Sequence, residues 1–280
     1  MTSHRTAPRR VGRAAGSSSL RETLTAGLDL VLPRPCPGCG DPAPWCTRCA
    51  AALSGPAQRV PWPLTVDVEP DPPPTSSTGP GRSPGRSPGP PEVWALARYT
   101  DPVRPAILAG KEHGRRDLPG RLGQALGLAI GRLIRVSALP APLWLVPAPS
   151  RRTSARRRGG DPVTLMARRA AAVAVATIDQ PCGVAPCLFT DWRAADSVGL
   201  DARERADNLR RRVRWSAGAA PPAGSDVLIV DDVFTTGATI ACAAEVLRHR
   251  GLAVRGALVV ASAVPFDHAA GPRYRRAPDG

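Results

Sequence analysis

From residue 93 onward the chain alternates between two hydrophobic rhythms. Largely apolar runs at 93–99, 143–146, 227–230 and 252–263, the third of them continuous, are separated by stretches, 102–110, 118–135, 162–177 and 240–250, with helical spacing or an alanine-rich make-up. An unbroken run is what a strand buried on both faces of a parallel sheet requires. Apolar residues three and four apart make one face of a helix, most clearly Leu118, Leu122, Leu126, Ile130, Leu133 and Ile134. Strands alternating with helices predict an α/β fold, a Rossmann-like parallel sheet flanked by helices and joined by right-handed crossovers.

The first third is patterned differently. Residues 1–19 read as a disordered basic tail, and Leu20, Leu24, Leu28 and Leu32 then give a four-residue spacing suited to one short helix. That helix leads into Cys36, Cys39, Cys46 and Cys49, a C-x2-C-x6-C-x2-C arrangement. Four thiolates at such spacing predict a closed, structural Zn2+ site, and residues 20–55 are read as one helix plus zinc module. Two disulfides or unrelated thiols are the alternatives. Disulfides are disfavoured because the basic start runs through Asp29 into Pro33 without a small-residue cleavage site. Cys182, Cys187 and Cys242 lack any such pairing and read as buried, small apolar side chains. Residues 56–91, rich in Pro, Gly and Ser with GRSP repeated, are expected to be a linker or inserted loop. A single domain is expected over 92–266, followed by a second disordered tail at 267–280.

Composition narrows the class. Hydrophobic residues make up 42% of the 280 and aromatics 4%, so the core must be mostly Ala, Val and Leu. No stretch approaches the roughly 20 apolar residues of a membrane span, and because the start does not read as a signal peptide the expected location is the cytoplasm. The formal charge of +15 raises a polyanionic partner, although part of it lies in the terminal arginines. Lys111 is the only lysine.

The chemistry concentrates in VLIVDDVFTTGAT, residues 227–239. Asp231 and Asp232 stand at the carboxyl end of a buried strand, where open α/β sheets bind their ligands. Two carboxylates there can accept hydrogen bonds from a vicinal diol and lie near Mg2+. Val233, Phe234, Thr235, Thr236, Gly237, Ala238 and Thr239 follow as a hydroxyl-rich turn opening a helix. Free amides at a helix N-terminus favour a phosphate, and glycine lets the backbone approach it. A solvated Asp pair with an ordinary Thr cap is the plainer reading, but turn chemistry explains one Asp and one Thr, not the whole string.

Three other segments carry polar candidates. Ser150, Arg151 and Arg152 leave a strand through two prolines and open an arginine run ending at Arg158. Such a loop suits pyrophosphate, or is a solvated basic loop or nonspecific nucleic-acid patch. Arg203, Arg205 and Asn208 belong to a charged stretch, 196–214, that reads as a mobile lid over an anion or as an exposed helix. Lys111, between a short and a long helix, is placed to reach a phosphate, and His113 reads as a surface histidine.

Residues 227–239 resemble the phosphoribosyl pyrophosphate (PRPP) motif of type I phosphoribosyltransferases. Taken in order, the leading helix, the four cysteines, the segment around Tyr99 and Lys111, the VPAPS-arginine loop, Ser197–Asn208 and the motif resemble the ComF family. That resemblance implies a type I phosphoribosyltransferase fold with an N-terminal zinc finger, PRPP and Mg2+ as ligands, and a role in natural competence. It implies that Asp231 and Asp232 contact the ribose, that 233–239 wrap the 5-phosphate, and that Lys111, Ser150, Arg151, Arg152, Arg203 and Arg205 face the pyrophosphate. Single-stranded DNA or a helicase-like protein would be the partner. A non-catalytic PRPP sensor and a nucleobase-salvage enzyme are the competing expectations. Where family members carry an RGFNQ-like string this chain has Arg158-Gly159-Gly160-Asp161-Pro162, and a lysine-aromatic pair is replaced by Lys111-Glu112. Both departures fall on the wall that would choose an acceptor.

Overall fold

The computed structural model describes residues 34–63, 89–151, 160–190 and 212–266. The expected leading helix, both tails, Arg152 and the charged stretch containing Arg203, Arg205 and Asn208 lie outside the described residues.

In chain order the elements are α1 (Thr47–Ala51), β1 (Gln58–Val60), β2 (Val93–Arg98), α2 (Val103–Lys111), α3 (Asp117–Arg135), β3 (Leu143–Pro147), β4 (Ser150–Arg151), α4 (Pro162–Ile178), β5 (Cys182–Val184), β6 (Leu188–Thr190), β7 (Val213–Trp215), β8 (Asp226–Phe234), α5 (Ala238–His249) and β9 (Ala253–Ser262). Six strands form one sheet in the order β1-β2-β9-β8-β3-β5, and β4, β6 and β7 form a smaller one. Within the larger sheet every pairing is parallel except that of β1 with β2.

The apolar runs are explained by burial on both sides. Leu96, Leu145, Leu228, Val230, Leu258 and Val260 face one layer, with α2, α3 and α4. Their neighbours Ala95, Val146, Val227, Ile229, Ala257 and Val259 face the other, against Ile240, Ala243, Ala244 and Leu247 of α5. Successive strand residues point to opposite faces, so only a sheet covered on both sides demands apolar residues without a break. Helices α3 and α4 pack closely because a Cβ at Gly123 or Gly127 would fall 2.4 Å from the Met166 carbonyl or 2.5 Å from that of Ala170. α4 starts where Asp161 accepts the Thr164 amide at 3.0 Å, with proline at the first helical position.

Three features go beyond the sequence expectations. β8 does not stop at the aspartates: its pairing with β9 continues through Asp231↔Val259 and Val233↔Ala261 to Phe234↔Ser262, so the turn begins three residues later. Gln58–Val60, inside the stretch expected to link the two parts, forms an edge strand. The cysteine segment shares a core with the α/β unit, its Cys36, Trp45, Cys46, Cys49 and Leu53 belonging to the cluster that includes Val103 and Leu118. Among the described residues no helix is long and apolar enough to cross a membrane.

Candidate functional site: an acidic cleft and a thiolate cluster

β8 is paired in parallel with β3 as far as Val230 and with β9 through Phe234, and this end delivers two carboxylates with different surroundings. Asp232 is 5% exposed, and its Oδ2 lies 2.8 Å from the Lys111 ammonium, which reaches over from the end of α2. Asp231 accepts the backbone amide of Asp232 at 2.8 Å. Burial and the adjacent Asp232 charge push the Asp231 carboxyl well above the usual carboxylate range. Burial opposes the charge on Lys111, but the Asp232 and Asp231 carboxylates outweigh it and raise its pKa.

Beyond Phe234 the chain turns through Thr235, Thr236 and Gly237 into α5. Gly237 is the helix N-cap, with φ 80 and no side-chain capping bond, so the first-turn amides of α5 have no side-chain acceptor from the cap. The Ala238 amide points to Thr236 Oγ1 at 3.4 Å. Glycine is required twice over at 237: the left-handed conformation disfavours other residues, and a Cβ would fall 2.3 Å from the Trp62 ring. Trp62 itself stands edge-on to Phe234, with centroids 5.2 Å apart at 88°, and donates its indole N–H to the Pro91 carbonyl at 2.8 Å. The turn therefore rests on an aromatic pair.

A cleft of about 520 Å3 opens above the end of β8, lined by Tyr99, Ile107, Leu108, Lys111, Glu112, Pro149, Ser150, Asp161, Val163, Asp231, Asp232, Val233, Thr235 and Thr239 among others. A small hollow of about 20 Å3 adjoins it, walled by Asp231 and the residues from Val233 to Ile240. Thus Asp231, Asp232, Val233, Thr235, Thr239, Lys111 and Ser150 come together in one cleft, with Thr236, Gly237 and Ala238 next to it. The Phe234 side chain is 1% exposed and belongs to the core beneath the turn. Arg151 lies in β4.

Tyr99, Glu112 and Asp161 line the cleft without having been singled out as ligand contacts. For Asp161 the signal was present, since Asp followed by Pro marks a helix start at the mouth of a loop. Trp62 left no local trace. Its role exists only because an edge strand brings it against a glycine 175 positions later, at 237.

The second candidate is the cysteine cluster. The four Sγ atoms lie within 4.8 Å of one another, Cys39 and Cys46 at 3.5 Å. Tetrahedral ligands of an ion held at about 2.3 Å from sulfur would stand about 3.8 Å apart, so the donor set fits a metal ion. Burial and the neighbouring thiols push Cys49 far up. At Cys39 burial works the same way, but the Asp41 amide, Arg48 and adjacent thiols bring the thiol down to about 7. Four sulfur donors crowded around one point suit a thiophilic cation.

A phosphoribosyl transferase domain model matches residues 193–279, which include β8, the turn and α5. The chain carries a phosphoribosyltransferase-like domain. Its mixed α/β architecture and mostly parallel sheet fit the type I fold of that group. Among solved structures, the chain is similar to a hypoxanthine phosphoribosyltransferase from Staphylococcus aureus at 17% identity and TM-score 0.29, covering 51% of this chain and 62% of that one. It is also similar to a hypothetical protein from Neisseria gonorrhoeae with bound ppGpp, at 16% identity and TM-score 0.28, covering 55% and 74% of the two chains. No curated protein sequence matches. The matched segment contributes Asp231, Asp232, Val233, Thr235 and Thr239 to the cleft, whereas Lys111 and Ser150 come from outside it.

Proposed function

We propose that the chain is a ComF-type, cytoplasmic phosphoribosyltransferase that binds PRPP with Mg2+ in the cleft and transfers its phosphoribosyl group to an acceptor. The single observation that carries this reading is that the only lysine, both carboxylates, Thr235 and Thr239 line one cleft. In the reaction the acceptor nucleophile forms a bond to the ribose C1 carbon as the bond to pyrophosphate breaks. Asp231 and Asp232 accept hydrogen bonds from the ribose hydroxyls and stabilise positive charge developing on the ring. The α5 amides and the hydroxyls of Thr235, Thr236 and Thr239 hold the 5-phosphate. Lys111 exchanges its contact with Asp232 for the leaving pyrophosphate, aided by Ser150, Arg151, Arg152, Arg203 and Arg205. Mg2+, which suits two adjacent carboxylates as hard oxygen donors, neutralises pyrophosphate charge when bound. Zn2+ is the ion proposed for the four thiolates.

Calorimetry with PRPP and Mg2+ tests the donor half, and the expected result is saturable binding to a single site. Pyrophosphate release across a panel of nucleobases tests turnover. Release with none of them favours the second reading, a PRPP-sensing module acting on nucleic acid or a helicase-like partner in competence. The formal charge of +15 favours a polyanion in that case. Single-stranded DNA binding that weakens steeply with salt is the outcome that reading requires.

A further inference from the structure

The thiolate cluster and the lysine of the cleft share one short helix, α2, and the cluster holds it at both ends. At its start, Gly38 lies so close that a Cβ there would be 2.7 Å from the Pro102 side chain and 2.8 Å from Cys49 Sγ. At its finish, the Arg115 backbone amide donates to the Ala109 carbonyl at 3.1 Å. The Arg115 side chain then turns into the cysteine module and is 8% exposed there. Its Nη1 donates to the Pro35 carbonyl at 3.0 Å and its Nη2 to that of Pro44 at 2.8 Å. Nε and Nη2 complete the fork on the two Asp117 carboxylate oxygens at 2.9 and 2.8 Å. Pro35 adjoins Cys36, and Pro44 stands two residues before Cys46, so the guanidinium ties both arms of the thiolate site to the turn that follows Lys111.

We propose that Arg115 is a positioning residue for Lys111: with its ion bound, the thiolate module fixes α2 through Arg115, and so sets the lysine where the pyrophosphate of the substrate docks. This rests on the PRPP reading of the cleft. Three features support it over simple reinforcement of the fold. The guanidinium is buried, its fork meets four acceptor sites that lysine cannot match, and the two carbonyls it joins flank metal-ligand cysteines. Helix α5, which follows the turn proposed for the 5-phosphate, packs on the opposite face of the sheet from α2 and the cysteine module.

The test compares two probes, pyrophosphate with Mg2+ and ribose 5-phosphate, by calorimetry on the full chain. Arg115→Ala is expected to weaken pyrophosphate about tenfold and to change ribose 5-phosphate by less than about twofold. Arg115→Lys should recover only part of the loss. Lys111→Ala should weaken pyrophosphate comparably, and adding Arg115→Ala to it should cause no further loss. Removing the ion from the unaltered chain with a chelator, with metal content measured, should reproduce the selective loss; this arm carries the test if Arg115→Ala does not fold. Equal weakening of both probes, additivity with Lys111→Ala, or unchanged pyrophosphate affinity overturns the proposal. If the unaltered chain does not bind PRPP, the cradle reading fails and this proposal fails with it. Tight PRPP binding by the unaltered chain and Arg115→Ala alike overturns only the positioning role.

Discussion

The two walls of the cleft are built on opposite plans. One is nine consecutive residues, from Asp231 to Thr239, whose chemistry is carried by backbone amides, three threonine hydroxyls and a carboxylate pair. The other collects Tyr99, Ile107, Leu108, Lys111, Glu112, Ser150, Asp161 and Val163 from four separate parts of the chain, mixing apolar side chains with one cation and two acids, one of which caps α4. A contiguous wall keeps its geometry as long as one strand and one helix hold. Apart from Lys111, which is ion-paired to Asp232, the composite wall can change residue by residue with little effect on the first.

That contrast can be broken from either side, and the largest effect should come from the contiguous wall. Asp231→Asn combined with Asp232→Asn should weaken PRPP at least about 100-fold by calorimetry, because both acidic partners proposed for the ribose hydroxyls are lost together. Gly237→Ala should come next, destabilising by about 1–3 kcal/mol in denaturant titrations, since the new methyl meets the Trp62 ring at a left-handed backbone position. Shrinking the partner with Trp62→Ala should recover part of that loss. On the composite wall, Asp161→Ala removes the α4 cap and should cost about 1 kcal/mol while leaving ribose 5-phosphate binding unchanged. A matching loss of ribose 5-phosphate affinity would show that the walls are not independent.

The smallest expected effect concerns pH. Because the folded-state pKa of Asp231 is raised, the fold favours its protonated form. Its contribution to stability is therefore fully present below the unfolded value of about 4 and is lost as pH rises through the folded value. Thermal melts of the ligand-free chain should show a decline over that range, and Asp231→Asn should flatten it, with a midpoint gain of no more than about 3 °C near neutrality. A steeper decline in the variant would contradict the assignment.

The sequence made one wall legible and hid most of the other, for physical reasons. β8, β9, α3 and α5 were readable because burial on two faces or on one helical stripe leaves a periodic record. The extent of β8 was not readable, since Asp231 and Asp232 look like a strand end and stay in the ladder only because β9 continues beside them. Gln58–Val60 owes its order to β2, and strands of two or three residues such as β4 to β7 are too short to show a rhythm. Arg115 sits in the string Gly114-Arg115-Arg116, where nothing distinguishes the buried guanidinium from its exposed neighbour. The four cysteines announced a metal site by spacing, but spacing could not reveal that the site shares the core of the α/β unit.

Lys111 has one more consequence, which belongs to chemistry on the bench. As the only lysine in 280 residues, it carries the only side-chain amine, on a side chain that is 46% exposed at the cleft. An acylating or reductively alkylating reagent aimed at amines therefore has one side-chain target, with the α-amino group as its internal reference. The protection a ligand gives Lys111 against such a reagent reads out cleft occupancy in the unmutated protein, one candidate acceptor at a time.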